Sequence, residues 1–406
     1  MAVAPSSTLV SLAEISAAAD RVAGVVRRTP VDRSDNLSRL CDRPVILKPE
    51  HLQRTGSFKI RGAFNHISRL PAGVEVVAAS AGNHAQGVAL AASLCGLRSV
   101  IFMPGAAPLP KVEATRGYGA TVLLGGDTVD DCVESARAYA AGHGARFVPP
   151  FDDPLVIAGQ ATVGLEVASE VPEATTVVVP VGGGGLIAGV AAALAYTRPE
   201  VTVIGVEAEG APTLRRALDA GGPVRLDSMS TLADGTALRS VSPLTYAHAE
   251  AFVHDVVLVS EEETARAVLL LLERAKAVVE PSGALGLAAL LAGRIPRSGA
   301  AVAVCTGGNV DPLLLIKLIE RGLSAAGRYQ LLRVVIPDRP GGLAALLGHV
   351  AGLGVNLLEV THHRAGVVVG VSEVEVLLTL ETRTHQHQAE IVATLGDAGY
   401  RVEPMS

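Results

Sequence analysis

Apolar positions along the chain follow two alternating patterns. Short β-branched runs at 45–47, 76–78, 100–102, 121–124, 176–181, 201–206, 256–259 and 300–304 carry few polar side chains on either face and predict strands buried on both sides. Between them, apolar residues recur at helical spacing. Leu12, Ile15, Ala19, Val22 and Val26 precede Thr29-Pro30, the run 83–95 stops at Gly96, and Ser260-x-x-Glu263 opens 264–275 as a capping box. The alternation predicts an α/β fold whose parallel sheets are covered by helices. After residue 325 the order changes. Ser324-Ala325-Ala326-Gly327 reads as a linker, followed by a strand (329–336), a helix (341–352), two strands (355–360 and 367–380), a helix (387–398) and a short last strand (400–402). This β-α-β-β-α-β order predicts a separate ferredoxin-like α+β domain.

Composition narrows the function classes. With 406 residues, 49% of them hydrophobic and 18% charged, the chain can bury a large core in two or three compact units. A net charge of -6, no long basic run, and only six Phe and six Tyr argue against a nucleic-acid binder. Cys41, Cys95, Cys132 and Cys305 form no C-x-x-C pair, so they read as cytosolic thiols and not as a zinc site, disulfide framework or redox dithiol. The first ten residues carry neither a basic nor a continuous apolar signal region, and Ser11-x-x-Glu14 then caps a helix; a cytoplasmic location is expected. The uncharged span 175–197 is long enough to cross a bilayer, but Pro180 and four glycines interrupt it, which predicts strand, loop and helix. No membrane association is expected. His362-His363 and His385-x-His387 have no acidic or thiol partner at ligand spacing, so they read as polar surface and no metal is assigned.

Four motifs carry candidate chemistry. Lys59, beside Gly56 and Phe58 at a helix start, is either a surface lysine or an amine whose pKa burial lowers until it attacks an aldehyde. Gly182, Gly183, Gly184 and Gly185 lie between a strand and the helix beginning near Leu186, where backbone amides can converge on a phosphate. A tight turn needing positive φ is the alternative. The run matches neither G-x-G-x-x-G, since Ile187 and Ala188 stand where a third glycine is needed, nor a G-K-S/T loop. Ser80-Ala81-Gly82-Asn83-His84 sits at a second strand-to-helix junction suited to a carboxylate, or simply caps the helix. Thr306, in Cys305-Thr306-Gly307-Gly308-Asn309, brings a hydroxyl to a strand end where open α/β folds bind ligands. A lysine for an aldehyde and a loop for a phosphate together point to pyridoxal phosphate.

These motifs stand in order with Glu50-His51-Leu52-Gln53-Arg54-Thr55-Gly56-Ser57-Phe58-Lys59, Ala158-Gly159-Gln160, Gly205-Val206-Glu207, Ala233-Asp234-Gly235 and Glu280-Pro281-Ser282-Gly283. Together they resemble the threonine dehydratases (threonine ammonia-lyases) of the fold-type II pyridoxal-phosphate family, which also holds serine dehydratases and serine racemases. The resemblance implies a two-lobed catalytic domain over 1–325, its small lobe at about 45–150 inserted in the larger one. It implies that Lys59 bonds the cofactor aldehyde, with Phe58 against the ring, Asn83 on its hydroxyl, Gly182 to Leu186 round the phosphate and Thr306 at the pyridine nitrogen. Ser80, Ala81, Gly82, Asn83 and His84 would grip the substrate carboxylate. The implied reaction is β-elimination of L-threonine, and of L-serine, to a 2-oxo acid and ammonia, in isoleucine biosynthesis or in catabolism. A dehydratase or racemase acting mainly on serine or another β-hydroxy amino acid, and a non-catalytic amino-acid sensor, stay open beside it.

Three positions depart from the family pattern. Thr306 stands where many dehydratases have Ser; Ala81 stands where racemases carry a second hydroxyl; Thr213 stands where racemases have an acidic ligand for a divalent ion six residues beyond the match to Glu207. The tail 328–406 resembles a single ACT regulatory domain through Ile336-Pro337-Asp338-Arg339-Pro340-Gly341-Gly342-Leu343 and Asn356-Leu357-Leu358-Glu359-Val360. That implies an amino-acid effector such as isoleucine or valine and a homodimer or homotetramer.

Overall fold

Strands form where the β-branched runs predicted them, and the helices between them cover both faces. The computed structural model describes residues 9–363, 370 and 372–405. The signal-region reading of the first eight residues, and positions 367–369 and 371 of the expected strand 367–380, lie outside the described residues. Two compact units divide the chain at Leu315/Ile316, inside the helix Pro312–Ala325. That helix takes up the first half of the expected linker, because Ser and Ala continue a helical turn, and the chain turns only at Gly327, where φ is +67°.

Among the described residues the first unit holds ten strands: β1 (Asp32–Arg33), β2 (Val45–Lys48), β3 (Val76–Ala79), β4 (Ser99–Met103), β5 (Thr121–Leu124), β6 (Arg146–Phe147), β7 (Ala174–Pro180), β8 (Thr202–Ala208), β9 (Asp255–Val259) and β10 (Ala300–Val304). They build a six-stranded sheet ordered β1-β2-β10-β7-β8-β9 and a four-stranded sheet ordered β5-β4-β3-β6. Every pairing is parallel except β1 with β2 at the edge. Both sheets bury apolar cores, the larger round Val177, Val179, Ile187 and Val302 and the smaller round Ile60, Val76, Ile101 and Met103. The α/β class with parallel sheets is therefore as expected.

Burial corrects two readings. β5 exposes three of its four side chains and buries Val122 alone, since it is an edge strand with one neighbour. The first helix, Leu12–Val22, opens with the expected Ser11/Glu14 capping box but buries Ile15, Ala18 and Val22, leaving Leu12 exposed. The helix expected over 264–275 runs as an α-helix, Glu261–Leu270, and then widens into a π-helix, Leu271–Ala275. The uncharged span 175–197 is strand β7, the glycine loop and the helix Gly185–Thr197. Among the described residues no helix is long and apolar enough to cross a membrane.

The second unit contains β11 (Tyr329–Pro337), β12 (Asn356–His363), β13 (Glu373–Glu381) and β14 (Arg401–Met405). They form an antiparallel sheet ordered β12-β13-β11-β14, with the helices Gly342–Gly352 and His385–Asp397 completing the β-α-β-β-α-β order. Leu332, Val334, Val376, Leu378, Leu346 and Ile391 make its core. Alternate residues of β11 point into that core, the period-2 pattern of a half-buried strand.

Candidate active site

The polypeptide leaving β2 carries Lys59 to the first turn of the helix Lys59–Ile67. The preceding segment is stitched to the end of β10. Phe58 N–H donates to the Thr306 carbonyl at 3.2 Å, Gly308 N–H donates to the Gly56 carbonyl at 2.9 Å, and Ser57 forms an isolated antiparallel bridge with Gly307. The helix is anchored on its other side by Arg61. This fully buried guanidinium donates to Glu50 Oε1 at 2.7 Å, Glu50 Oε2 at 2.8 Å and Glu166 Oε1 at 2.6 Å. Lys48, also buried, pairs with Glu166 at 2.6 Å and Glu170 at 2.9 Å. Burial alone would raise the Glu50 pKa, but the charge and hydrogen bonds of Arg61, with Thr29 and Lys48, outweigh it and hold the carboxyl below its ordinary value.

A cavity of about 410 Å³ opens beside Lys59. Loops leaving the carboxyl ends of β3, β7 and β10 line it: Ser80 to His84 after β3, Gly182 to Leu186 after β7, and Thr306 and Asn309 after β10. Phe58 and Lys59 complete the set, so all the residues singled out by the motifs surround one space. The Lys59 amine donates to the Pro150 carbonyl at 3.0 Å and lies 5.2 Å from the centre of the Phe58 ring. Burial pushes its pKa down to about 8, against the opposing pull of Glu280. A neutral amine is therefore accessible close to neutral pH. His84 is neutral too: burial and the Lys59 charge push its pKa down to about 3, and its Nε2 lies 2.9 Å from the Val148 carbonyl, to which it donates.

The glycine loop can hold an anion. Among the described residues, the backbone N–H groups of Gly182, Gly183, Gly184 and Gly185 find no hydrogen-bond partner, and they lie at the N-terminus of the thirteen-residue helix Gly185–Thr197. The loop packs directly on Phe151. A Cβ at Gly183 would lie 2.2 Å from the Phe151 ring, a contact no side chain permits. Ser282 Oγ adds a buried hydroxyl without a partner at the cavity wall. A phosphate at the free amides, an aldehyde at Lys59 and a ring between Phe58 and Thr306 fit these residues.

Several lining residues had no role assigned from the motifs. Glu280 is buried, and burial together with the Asp234 charge pushes its pKa up to about 7, opposed by Asn83 and Lys111. Lys111, on the helix Leu109–Gly117 between β4 and β5, pairs with Asp234, between β8 and β9, at 2.9 Å where both reach the cavity. Glu280, Asp234 and Asn309 lay within the quoted motif segments, whereas Pro150 and Phe151 carried no sequence signal. Glu207 lies away from the cavity. Its Oε1 accepts from Thr213 Oγ1 at 2.9 Å and Leu214 N–H at 2.7 Å, and its Oε2 accepts from Arg215 N–H at 2.9 Å, so it caps the helix Thr213–Ala220. Among the described residues no three His, Cys, Asp or Glu side chains cluster as a metal site.

A parallel α/β fold with a buried lysine amine of lowered pKa and a loop of free amides at its strand ends has the layout of a cofactor-dependent enzyme of the fold-type II class. Residues 22–307 match the family of pyridoxal-phosphate dependent enzymes, and the chain belongs to it. An L-threonine ammonia-lyase of Geobacter sulfurreducens is 46% identical over 393 residues, covering 96% of this chain and 98% of that protein. The solved threonine deaminase from T.th. superposes with a TM-score of 0.71 at 42% identity, over 74% of this chain and 99% of that one. Maize serine racemase superposes with a TM-score of 0.73 at 34% identity, over 78% and 99%.

Proposed function

We propose that the chain is a threonine ammonia-lyase, converting L-threonine to 2-oxobutanoate and ammonia, with L-serine as a second substrate. The observation that carries this reading is the cavity itself, where the Lys59 amine, the glycine loop and the Ser80 to His84 loop converge with Ala81 among them. Bound there, pyridoxal phosphate supplies an electron sink for the bonds at the substrate Cα. Gly182 to Leu186 hold its phosphate, Phe58 and Thr306 hold the ring, and Asn83 meets the ring hydroxyl. Lys59 Nζ receives the Cα proton. In the Ser80 to His84 loop the Ser80 N–H is bonded to the Phe102 carbonyl and the Gly82 N–H to Ser80 Oγ, so the amides of Ala81, Asn83 and His84 would bind the substrate carboxylate and aim the Cα–H bond at that amine. Ala81 offers a methyl group and no proton to Cα, which favours elimination over racemisation. The identity with a full-length ammonia-lyase supports the same choice.

The test is 2-oxo-acid release by the purified holoenzyme from L-threonine and L-serine. Wild type is expected to form 2-oxobutanoate, and Lys59→Ala is expected to keep its fold and lose at least about 1,000-fold in kcat, the loss of a proton-transfer group that also anchors the cofactor. Turnover undiminished in Lys59→Ala would overturn the reading.

For the C-terminal domain, proposed to span 328–406, an amino-acid effector fits a cavity of about 620 Å³ lined by Pro337, Asp338, Arg339, Pro340, Gly341 and His362. The turn ends at Gly341, whose φ of +86° caps the helix Gly342–Gly352; the Gly342 N–H is bonded to the Arg339 carbonyl at 3.1 Å, and Leu343 and Ala344 of the first turn line the cavity. Isothermal titration of the full chain is expected to register binding of isoleucine or valine. No heat, together with kinetics unchanged by either amino acid, would sink the regulatory role.

A further inference from the structure

Asn83 enters the cavity from the first turn of its helix, and its side-chain amide is held at both ends. Its Nδ2 donates to Glu280 Oε1 at 2.7 Å, and its Oδ1 accepts from Asn309 Nδ2 at 2.6 Å. Asn309 Nδ2 gives its other hydrogen to the backbone carbonyl of Thr55 at 2.7 Å. Chemistry fixes the order of atoms along this relay, because a backbone carbonyl can only accept. The Asn309 atom facing Thr55 must therefore be nitrogen. The Asn83 atom facing that nitrogen must be oxygen, so the Asn83 nitrogen faces Glu280. Both hydrogens of Asn309 Nδ2 are committed, and Asn83 Nδ2 keeps one free.

Two glycines leave room for the relay. A Cβ at Gly307 would lie 2.3 Å from Glu280 Oε1 and 2.9 Å from Asn83 Nδ2. At Gly56, where φ is +71°, a Cβ would lie 2.4 Å from Asn309 Oδ1. Any other residue at either place would push the carboxylate or the amide out of line. The relay thus spans the loops that follow β2, β3 and β10 and the start of the helix Pro281–Leu291.

We propose that Glu280 and Asn309 are positioning residues that lock the Asn83 amide in one orientation, so that its single uncommitted N–H is offered to an acceptor oxygen on pyridoxal phosphate. This rests on the reading that Asn83 meets the ring hydroxyl. Without the relay the amide is free to turn over and present its carbonyl, which repels an acceptor oxygen.

The test is a double-mutant cycle on the full chain, reading the dissociation constant of pyridoxal phosphate and the visible absorption maximum of the bound cofactor, neither of which needs turnover. Asn83→Ala and Asn309→Leu are each expected to weaken binding about tenfold, the worth of one charge-assisted hydrogen bond. Both are expected to move the absorption band in the same direction. The double variant should bind no more weakly than Asn83→Ala, because Asn309 acts through Asn83. Multiplying losses in the double variant would mean that Asn309 merely supports the fold, and would overturn the proposal. Should Asn309→Leu fail to fold, Glu280→Gln and Glu280→Leu decide the matter. Gln keeps an acceptor for Asn83 and should stay within about twofold of wild type, while Leu should reproduce Asn83→Ala. Equal behaviour of Gln and Leu would overturn it as well. If Asn83→Ala leaves both readouts unchanged, the Asn83 contact and the proposal fall together; if Asn83→Ala changes them and Asn309→Leu does not, the proposal alone falls.

Discussion

Lys59 owes its lowered pKa to what encloses its amine. Burial takes water from the ammonium and lowers its pKa, and the opposing influence is the Glu280 carboxylate, which favours the charged form. The sign follows directly. A lysine with a lowered pKa is protonated below about 8 and free above it. Cofactor uptake by the apoprotein should therefore accelerate as pH rises from 7 and level off near 9, where an ordinary lysine, titrating at about 10.4, would still be climbing. Stopped-flow absorbance during pyridoxal phosphate uptake checks this. Glu280→Gln removes the charge that favours the ammonium and should move the midpoint to lower pH. The same shift makes the unfolded chain bind more protons than the folded one between about 8 and 10.4, so this residue's contribution to apoprotein stability rises with pH across that window.

At the scale of elements, the helix Lys59–Ile67 is aimed by a buried ion network more than by its own propensity. Arg61 sits two residues beyond Lys59 and is clamped between Glu50 and Glu166. Arg61→Leu strips the buried Glu50 of its paired guanidinium, leaving it the Thr29 hydrogen bond and the Lys48 charge, and should cost about 3–5 kcal/mol, read as a fall in the urea midpoint at pH 7. The Glu50 carboxyl is held below its ordinary pKa in the intact pair, so the stability it contributes is present above about 4.3 and fades as pH falls through its lowered value. The difference between Arg61→Leu and wild type should accordingly shrink as pH falls below the ordinary carboxyl range. Much of this layout was legible beforehand, because Ser11 with Glu14 and Ser260 with Glu263 mark their helix starts and the β-branched runs mark eight strands. The remainder had no local signal. β1 and β6 are two residues each and exist only through pairing, and β5 reads like a buried strand although its place at an edge exposes it. The cavity motifs were legible as strand-to-helix junctions with unusual glycine content. Their cross-links were not, since Asn83 meets Glu280 and Asn309 across 197 and 226 residues of sequence.

At the scale of the molecule, the cavity lies where loops from two separate sheets meet. A cofactor that touches loops after β3 as well as β7 and β10 ties the four-stranded and six-stranded sheets together and binds the folded chain alone. At a hundredfold excess over its dissociation constant it should add about 2.7 kcal/mol. Scanning calorimetry of the holo and apo forms should show the holo transition several degrees higher, and Lys59→Ala should keep only part of that increment. An increment undiminished in Lys59→Ala would mean that the covalent link contributes nothing to holding the sheets.

Within the first unit the chain passes between the six-stranded and the four-stranded sheet twice, once through the segment carrying Lys59 and once through Pro150 and Phe151, and the Lys59 amine is hydrogen-bonded to the Pro150 carbonyl of the return passage. Both spans thus meet at the Lys59 amine, and the Lys111–Asp234 pair adds a second tie at the cavity wall. A group that takes the amine away from the Pro150 carbonyl would loosen the seam between the outgoing and the returning span.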